Sequence, residues 1–360
     1  VVLRQAVVFR RAAFLRQAVI LRQAGDRGPG SMSERIRLAH GGGGSLMQQL
    51  IDQEFRCLYP DPAALLHDAA VLPAASGALA FTTDGYVVQP LEFPGGDIGR
   101  LAVVGTANDL AMAGARPLWL SVAMILEEGF ELERLRRLVA SLAEAARECG
   151  VAIATGDTKV VERGKGDGLF LTTSGIGRVE SPRPIGPAAI RPGDQLLVSG
   201  DLGRHGMAIL AARHGLDLQP PLASDCAPLW PLVHSLLAAG VEIHCLRDLT
   251  RGGLASALQE LATAAGVAMR LEEERLPVAA AVSRSCELLG FDPLHLANEG
   301  RFVAVVPPDQ LAPALALLEP HGGAHIGMVE PGPARVSLRT PFGSERLLLP
   351  LSGELLPRIC

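Results

Sequence analysis

The stretch 181–194, Ser-Pro-Arg-Pro-Ile-Gly-Pro-Ala-Ala-Ile-Arg-Pro-Gly-Asp, constrains this chain more than any other. Proline lacks the backbone donor that helices and central strands need, and glycine costs entropy in both, so neither element runs through so dense a run of the two. Before it, strand-like runs at 80–83, 86–89, 151–155 and 169–175 surround a helix over 98–114 rich in small residues and a second helix over 132–149. The second helix sets Leu132, Leu135, Leu138, Val139, Leu142 and Ala146 on one face and stops at Gly150. After the break the pattern restarts, with strands expected at 195–199, 268–272, 302–306 and 325–329 and helices at 205–214, 251–265, 278–290 and 309–319. The reading is a mixed α/β (α+β) chain of two sandwiches of similar size. Residues 32–185 form the first and 186–345 the second, and a mobile tail over 346–360 follows.

Residues 1–24 stand apart. They repeat a short unit (Leu3-Arg4-Gln5-Ala6, Leu15-Arg16-Gln17-Ala18, Leu21-Arg22-Gln23-Ala24) whose period of six fits no single helical face. Arginine interrupts each apolar stretch, which excludes a signal peptide, and residues 1–31 are read as an extension outside the fold. Without them, six arginines and one aspartate fewer, the body carries a net charge near −10. An acidic body with no basic patch among its aromatics argues against nucleic acid as a partner. No uncharged apolar run is long enough to span a membrane. The six cysteines, Cys57, Cys149, Cys226, Cys245, Cys286 and Cys360, form no C-x-x-C pair, and the expectation is free thiols in a reducing, cytoplasmic setting.

Chemistry-bearing residues recur beside glycines and strand ends. Asp68, Asp84, Asp109, Asp157 and Asp248 all sit in such places. Each alone is ordinary turn or cap chemistry; five together suit a hard cation such as Mg²⁺, which takes a few carboxylates plus phosphate. The run Gly41-Gly42-Gly43-Gly44 either brings backbone N–H groups to phosphate or is a hinge. It matches neither the Walker A spacing nor G-x-G-x-x-G. Lys159 follows a Gly-Asp turn and is either a cation for a phosphoryl group or a solvated lysine. Glu299, before the strand at 302–306, is a candidate base or a loop carboxylate, and His205 opens a helix as a cap-region residue. The chain ends Leu-Pro-Arg-Ile-Cys360, a terminal thiol on a tail able to reach roughly 33 Å if extended.

The ordered series His40-Gly-Gly-Gly-Gly44, Thr83-Asp84-Gly-Tyr-Val-Val88, Phe93-Pro-Gly-Gly-Asp-Ile-Gly99, Gly105-Thr-Ala-Asn-Asp-Leu-Ala111, Gly156-Asp-Thr-Lys-Val-Val161, Gly203-Arg-His-Gly206, Arg247-Asp-Leu-Thr-Arg-Gly-Gly253, Ala297-Asn-Glu-Gly300 and Pro357-Arg-Ile-Cys360 resembles the HypE family of hydrogenase maturation proteins, the carbamoyl dehydratases. The resemblance runs over about 36–360. It implies a PurM-like fold, with an N-terminal α/β domain that dimerises and a C-terminal α/β sandwich. It implies that a carbamoyltransferase, HypF, loads Cys360. ATP then converts the carboxamide to a thiocyanate, and a HypC–HypD complex receives the cyanide for the Fe centre of a [NiFe]-hydrogenase.

By the same resemblance, Cys360, Lys159 and Glu299 are catalytic. Gly41–Gly44, Asp84, Asn108, Asp157 and Lys159 hold ATP, and Asp68, Asp84, Asp109 and Asp248 hold Mg²⁺. Two departures, Tyr86 in place of Phe and Leu249 in place of Pro, remove no functional group. The competing readings are a kinase or synthetase of the same fold, of the selenophosphate synthetase or thiamine-phosphate kinase type, and a thiol carrier without catalysis of its own.

Overall fold

A computed structural model describes residues 35–42, 45–59, 69–349 and 358–360. The extension at 1–31, Gly43, Gly44 and Asp68 lie outside the described residues. The strands are β1 (Leu79–Tyr86), β2 (Glu92–Phe93), β3 (Gly96–Asp97), β4 (Ala115–Glu127), β5 (Ala152–Val161), β6 (Leu169–Val179), β7 (Gln195–Val198), β8 (Cys245–Asp248), β9 (Ala268–Glu272), β10 (Phe302–Val306), β11 (Ala324–Glu330), β12 (Arg335–Arg339) and β13 (Glu345–Leu347). The helices are α1 (Ser45–Leu50), α2 (Ile98–Met112), α3 (Leu132–Cys149), α4 (Arg204–His214), α5 (Trp230–Ala238), α6 (Gly253–Ala265), α7 (Ala280–Leu289) and α8 (Leu311–Leu318).

Two main sheets result. The first has the order β1-β6-β4-β5 and the second β13-β12-β9-β11-β7-β10-β8, and a short β2-β3 pair stands beside them. Only β4–β5 and β9–β12 run parallel; the other pairs are antiparallel. The second sheet is covered on both faces. Leu254, Leu258 and Leu261 of α6 pack on Val198, Val303 and Val305. On the other side, Val233 and Leu236 of α5 and Ala314 and Leu318 of α8 pack on Leu197, Phe302 and Ala304.

Among the described residues, the first sheet is covered on one face only. Leu120, Val122, Met124 and Leu126 of β4 join a core with Leu135, Leu138, Val139 and Leu142 of α3. On the opposite face Leu79 is 55%, Phe81 71% and Ile125 40% exposed. An apolar open face flanked by two edge strands, β1 and β5, invites pairing with another sheet.

The central helix α2 joins the two halves. It is buried on nearly every side, and its small residues, Gly99, Ala102, Gly105 and Ala107 among them, let the surrounding elements approach closely. Asp97 caps it by accepting the Arg100 N–H at 2.9 Å.

Three sequence expectations change. The two strands expected at 80–83 and 86–89 are one strand ending at Tyr86. β4, the longest strand, was not expected, because both of its faces are apolar and its period of two is hidden. The mobile tail expected over 346–360 is held where it is described: β13 pairs with β12, Leu348 N–H donates to Val336 O at 3.0 Å, and residues 358–360 dock against the first sheet.

Candidate active site

The strand β1 ends between the two sheets, and carboxylates from five segments converge there. Asp84 pairs across the sheet with Thr173, a buried residue of the helix-covered face, so Asp84 faces α2. Asp109 projects from α2 and shares a hydrogen bond with Asp84, while Thr82 Oγ1 donates to Asp109 Oδ2 at 2.8 Å. Asp248 closes β8, and Glu299 sits in the loop before β10.

Burial and the neighbouring Asp248 and Asp84 charges push Asp109 up to about 7. Burial, opposed by Arg247 and reinforced by Asp84, raises Asp248. Glu299 is 3% exposed and rises well above the usual carboxylate range, through burial first and then Asp225, Asp248, Asp84 and Asp109.

Asp225 is the member that sequence reading missed. Its Oδ1 accepts the Glu299 N–H at 3.2 Å, and among the described residues its Oδ2 has no hydrogen-bond partner, only Arg301 Nε at 3.9 Å. Gly300 lets the two segments meet, since a Cβ there would lie 2.0 Å from the Asp225 carbonyl oxygen. Glu299 Oε1 is also buried without a partner among the described residues.

Buried orphan carboxylate oxygens amid mutually repelling acids fit a hard divalent cation. Among the described residues, no three His, Cys, Asp or Glu side chains already form a metal-holding group.

Tyr86, one of the two departures, adds a functional group. Its hydroxyl donates to Asp84 Oδ2 at 3.2 Å and lies 3.2 Å from Thr106 Oγ1, which in turn lies 2.5 Å from Thr173 Oγ1. Burial and the Asp84 charge keep the phenol protonated.

The tail docks at the end of β1. Val87 N–H, three residues past Asp84, donates to Cys360 O at 3.0 Å, and Gln89 N–H donates to Arg358 O at 3.2 Å. Arg358 Nε donates to Val87 O at 2.9 Å, and Arg358 Nη1 pairs with Asp167. Among the described residues Arg358 alone is a non-glycine with positive φ, at 57°. That conformation costs on the order of 1–2 kcal/mol and persists only where contacts impose it. Ile359 is buried in the same core as Cys226, next to Asp225, and Ala297, two residues before Glu299, and Cys360 packs against that core.

Other predicted site residues lie elsewhere. Asp157 and Lys159 pair across the sheet with Ala123 and Ile125, so they face the open side, on the edge strand farthest from β1. Lys159 Nζ bonds Asp157 Oδ1 at 2.8 Å, with both side chains more than half exposed. Gly41 lies at the same edge, where a Cβ would come within 2.7 Å of Val160 N. Asn108, expected to touch ATP, is committed to the joint between the halves. Its Nδ2 donates to Ala227 O and Glu299 O, both at 3.1 Å, and its Oδ1 accepts Leu229 N–H at 2.8 Å.

The models of the AIR synthase related protein, N-terminal and C-terminal domains, match residues 66–179 and 191–338. The carbamoyl dehydratase HypE of Rhodobacter capsulatus is 52% identical over 337 residues, covering 91% of this chain and 98% of that protein. A crystal structure of the hydrogenase maturation protein HypE in complex with ATP aligns with a TM-score of 0.86 at 45% identity, over 90% of this chain and 99% of that one. A HypE–HypF complex aligns with a TM-score of 0.73 at 43% identity, over 84% and 99%.

Proposed function

This chain belongs to the HypE family of carbamoyl dehydratases, and from that premise we propose that it dehydrates a carboxamide carried on its own Cys360 sulfur, with ATP as the phosphoryl donor. The observation that carries this reading is the Val87 N–H to Cys360 O hydrogen bond, which anchors the thiol-bearing residue three positions from Asp84 of the acid cluster. An amide oxygen is a poor leaving group. Transfer of the γ-phosphoryl group to it, with loss of one N–H proton, gives an O-phosphorylated imidate. Expulsion of phosphate with loss of the second N–H proton leaves the S–C≡N group, so the oxygen departs in inorganic phosphate.

Each part of the site has a task in this scheme. Asp84, Asp109 and Asp248 would hold Mg²⁺ together with the nucleotide, as would Asp68 by the resemblance. A divalent cation bound there would neutralise the cluster and the triphosphate charge. Glu299, buried near the tail's core, would take an N–H proton once a cation bound among the neighbouring acids leaves it ionised. Tyr86 and Thr82 fix the orientations of Asp84 and Asp109.

The two edges of the first sheet need a second copy to work together. Lys159, Asp157 and Gly41 occupy the β5 edge and the acid cluster the β1 edge. A homodimer through the apolar open face would close the two four-stranded sheets on one another and bring the β5 edge of one copy to the β1 edge of the other. In that dimer Lys159 would serve the phosphates in the partner's site, and Gly41, on the same edge, would lie beside the same nucleotide. HypF, which forms a complex with a relative, is the loading partner, and a HypC–HypD complex is the acceptor. Among the described residues no helix is long and apolar enough to cross a membrane.

The test is mass spectrometry of the C-terminal peptide of carbamoylated protein, with and without Mg·ATP. Loss of the mass of one water only with Mg·ATP is expected. An unchanged adduct would mean that the chain only carries the group. Mg·ATP turnover on a free small molecule by a Cys360→Ala variant would favour a kinase or synthetase of the same fold.

A further inference from the structure

His205 has no part in the dehydration chemistry above, yet its ring is fully buried and both nitrogens are engaged. Nε2 lies 2.9 Å from the carbonyl oxygen of Ile359, and Nδ1 lies 2.8 Å from Ser224 Oγ. A carbonyl only accepts, so Nε2 carries the hydrogen. Ser224 Oγ accepts the Cys226 N–H at 3.1 Å and is free to donate its own hydrogen to Nδ1. The tautomer is therefore set from both sides. Phe93 packs against the ring in a T-shaped contact, centroids 5.5 Å apart at 88°.

These bonds tie two functional parts together. On one side His205 holds the penultimate residue of the chain. On the other it holds the segment Ser224-Asp225-Cys226, whose Asp225 Oδ1 accepts the Glu299 N–H. Two turns along the same helix, Arg213 donates from Nη2 to Arg358 O and from Nε to Gln89 O, at 2.9 and 3.0 Å. The last three residues thus lie along 87–89 through two backbone hydrogen bonds, with α4 supplying side-chain donors to two successive tail carbonyls.

Resting on the reading of Cys360 as the carrier, we propose that His205 is a positioning residue for the dehydration: its Nε2–H holds the Ile359 carbonyl, fixes the register of the docked tail, and sets the Cys360 adduct against the segment that seats Glu299. The imidazole exchanges no proton with the substrate. Its work is to hold the loaded tail and the Asp225–Glu299 segment in one arrangement.

The experiment compares two variants that split the histidine's two bonds. His205→Asn keeps an acceptor near the Nδ1 position for Ser224 and removes the donor to Ile359. His205→Gln places an amide N–H near the Nε2 position. Iodoacetamide labelling of Cys360, followed by peptide-resolved mass spectrometry with Cys57 as internal reference, reads tail release directly. Loss of one buried hydrogen bond predicts about tenfold faster labelling of Cys360 in H205N. H205Q is expected to stay close to the parent chain. Single-turnover dehydration of the carbamoylated protein should slow in parallel in H205N and be partly rescued in H205Q, with ATP affinity unchanged in both.

Equal labelling rates in the two variants, or loss of ATP binding in both, would overturn the proposal in favour of a histidine that only fills the core. A parent chain that shows no Mg·ATP-dependent loss of water would instead defeat the dehydratase reading. The labelling contrast would still decide what His205 does.

Discussion

The two edges of the first sheet differ in what they lack. At the β1 edge, carboxylates crowd into a buried space, two of their oxygens have no partner, and burial and mutual repulsion raise Asp109, Asp248 and Glu299. At the β5 edge, Lys159 and Asp157 satisfy one another in the open, beside Gly41. The first region is electrostatically incomplete and calls for a cation. The second is content as it stands and belongs to a face that needs covering. One nucleotide carrying Mg²⁺ would answer the first need, and a second copy of the chain would answer the other.

The largest effect tests whether the two edges cooperate across copies. Lys159→Ala should lower single-turnover dehydration by on the order of 10²–10³-fold, the range for removing one preorganised donor at a developing charge. Its stability should change by less than about 0.5 kcal/mol, since an exposed pair contributes little. Asp109→Asn should be similarly inactive. Mixing the two inactive chains under conditions of subunit exchange should recover about a quarter of the parental rate, because half the dimers are then mixed and each holds one intact site. No recovery on mixing would place Lys159 and the acid cluster in the same copy and break the comparison.

Much of this was legible in the sequence, and the illegible parts share a physical cause. Helix α3 and its stop at Gly150 follow from spacing, because one face is apolar and the other is not. The strand β4 hid because its second face is apolar as well, and the open face that hid it is the one the dimer would cover. Asp84, Asp109, Asp248 and Glu299 stood out by their glycine and asparagine neighbours. Asp225 did not, since nothing in Ala-Ser-Asp-Cys-Ala distinguishes it from a loop aspartate until Gly300 is seen against its carbonyl. Lys159 and Asp157 were grouped with the cluster because sequence order carries no information about which face of a sheet a residue takes. The resemblance alone makes Asn108 a nucleotide contact, beside Asp109 of the cluster. On a helix, adjacent positions point about 100° apart, and Asn108 turns toward the second half of the molecule instead.

Asn108→Ala measures how much the β1-edge region depends on the joint between the halves. The change leaves Ala227 O, Glu299 O and Leu229 N without their partner in a buried setting. The expected loss is about 2–4 kcal/mol in denaturant unfolding. A variant that keeps its stability and loses ATP affinity would return Asn108 to the nucleotide and shift the boundary of the site.

The smallest effect concerns the charge stored at the β1 edge. With Asp109 raised to about 7 in the folded protein, the folded state retains a proton that the unfolded chain releases near its ordinary value of 3.8. The stabilisation from this group is complete below that ordinary value, declines as pH rises toward 7, and is gone above it. Asp109→Asn removes the charge while its amide oxygen can still accept from Thr82. The cation-free variant should therefore be more stable than the parent at pH 8, by on the order of 1–3 kcal/mol, and the margin should narrow on titration to pH 5 and close only below the ordinary value of 3.8. Asp248 and Glu299 shift in the same direction, so the variant keeps part of the parent's pH dependence. Mg·ATP should reverse the ranking, stabilising the parent far more than the variant in a thermal-shift titration. An Asp109→Asn chain no more stable than the parent at pH 8 would show that the cluster relieves its repulsion without a cation, and the contrast between the two edges would lose its electrostatic basis.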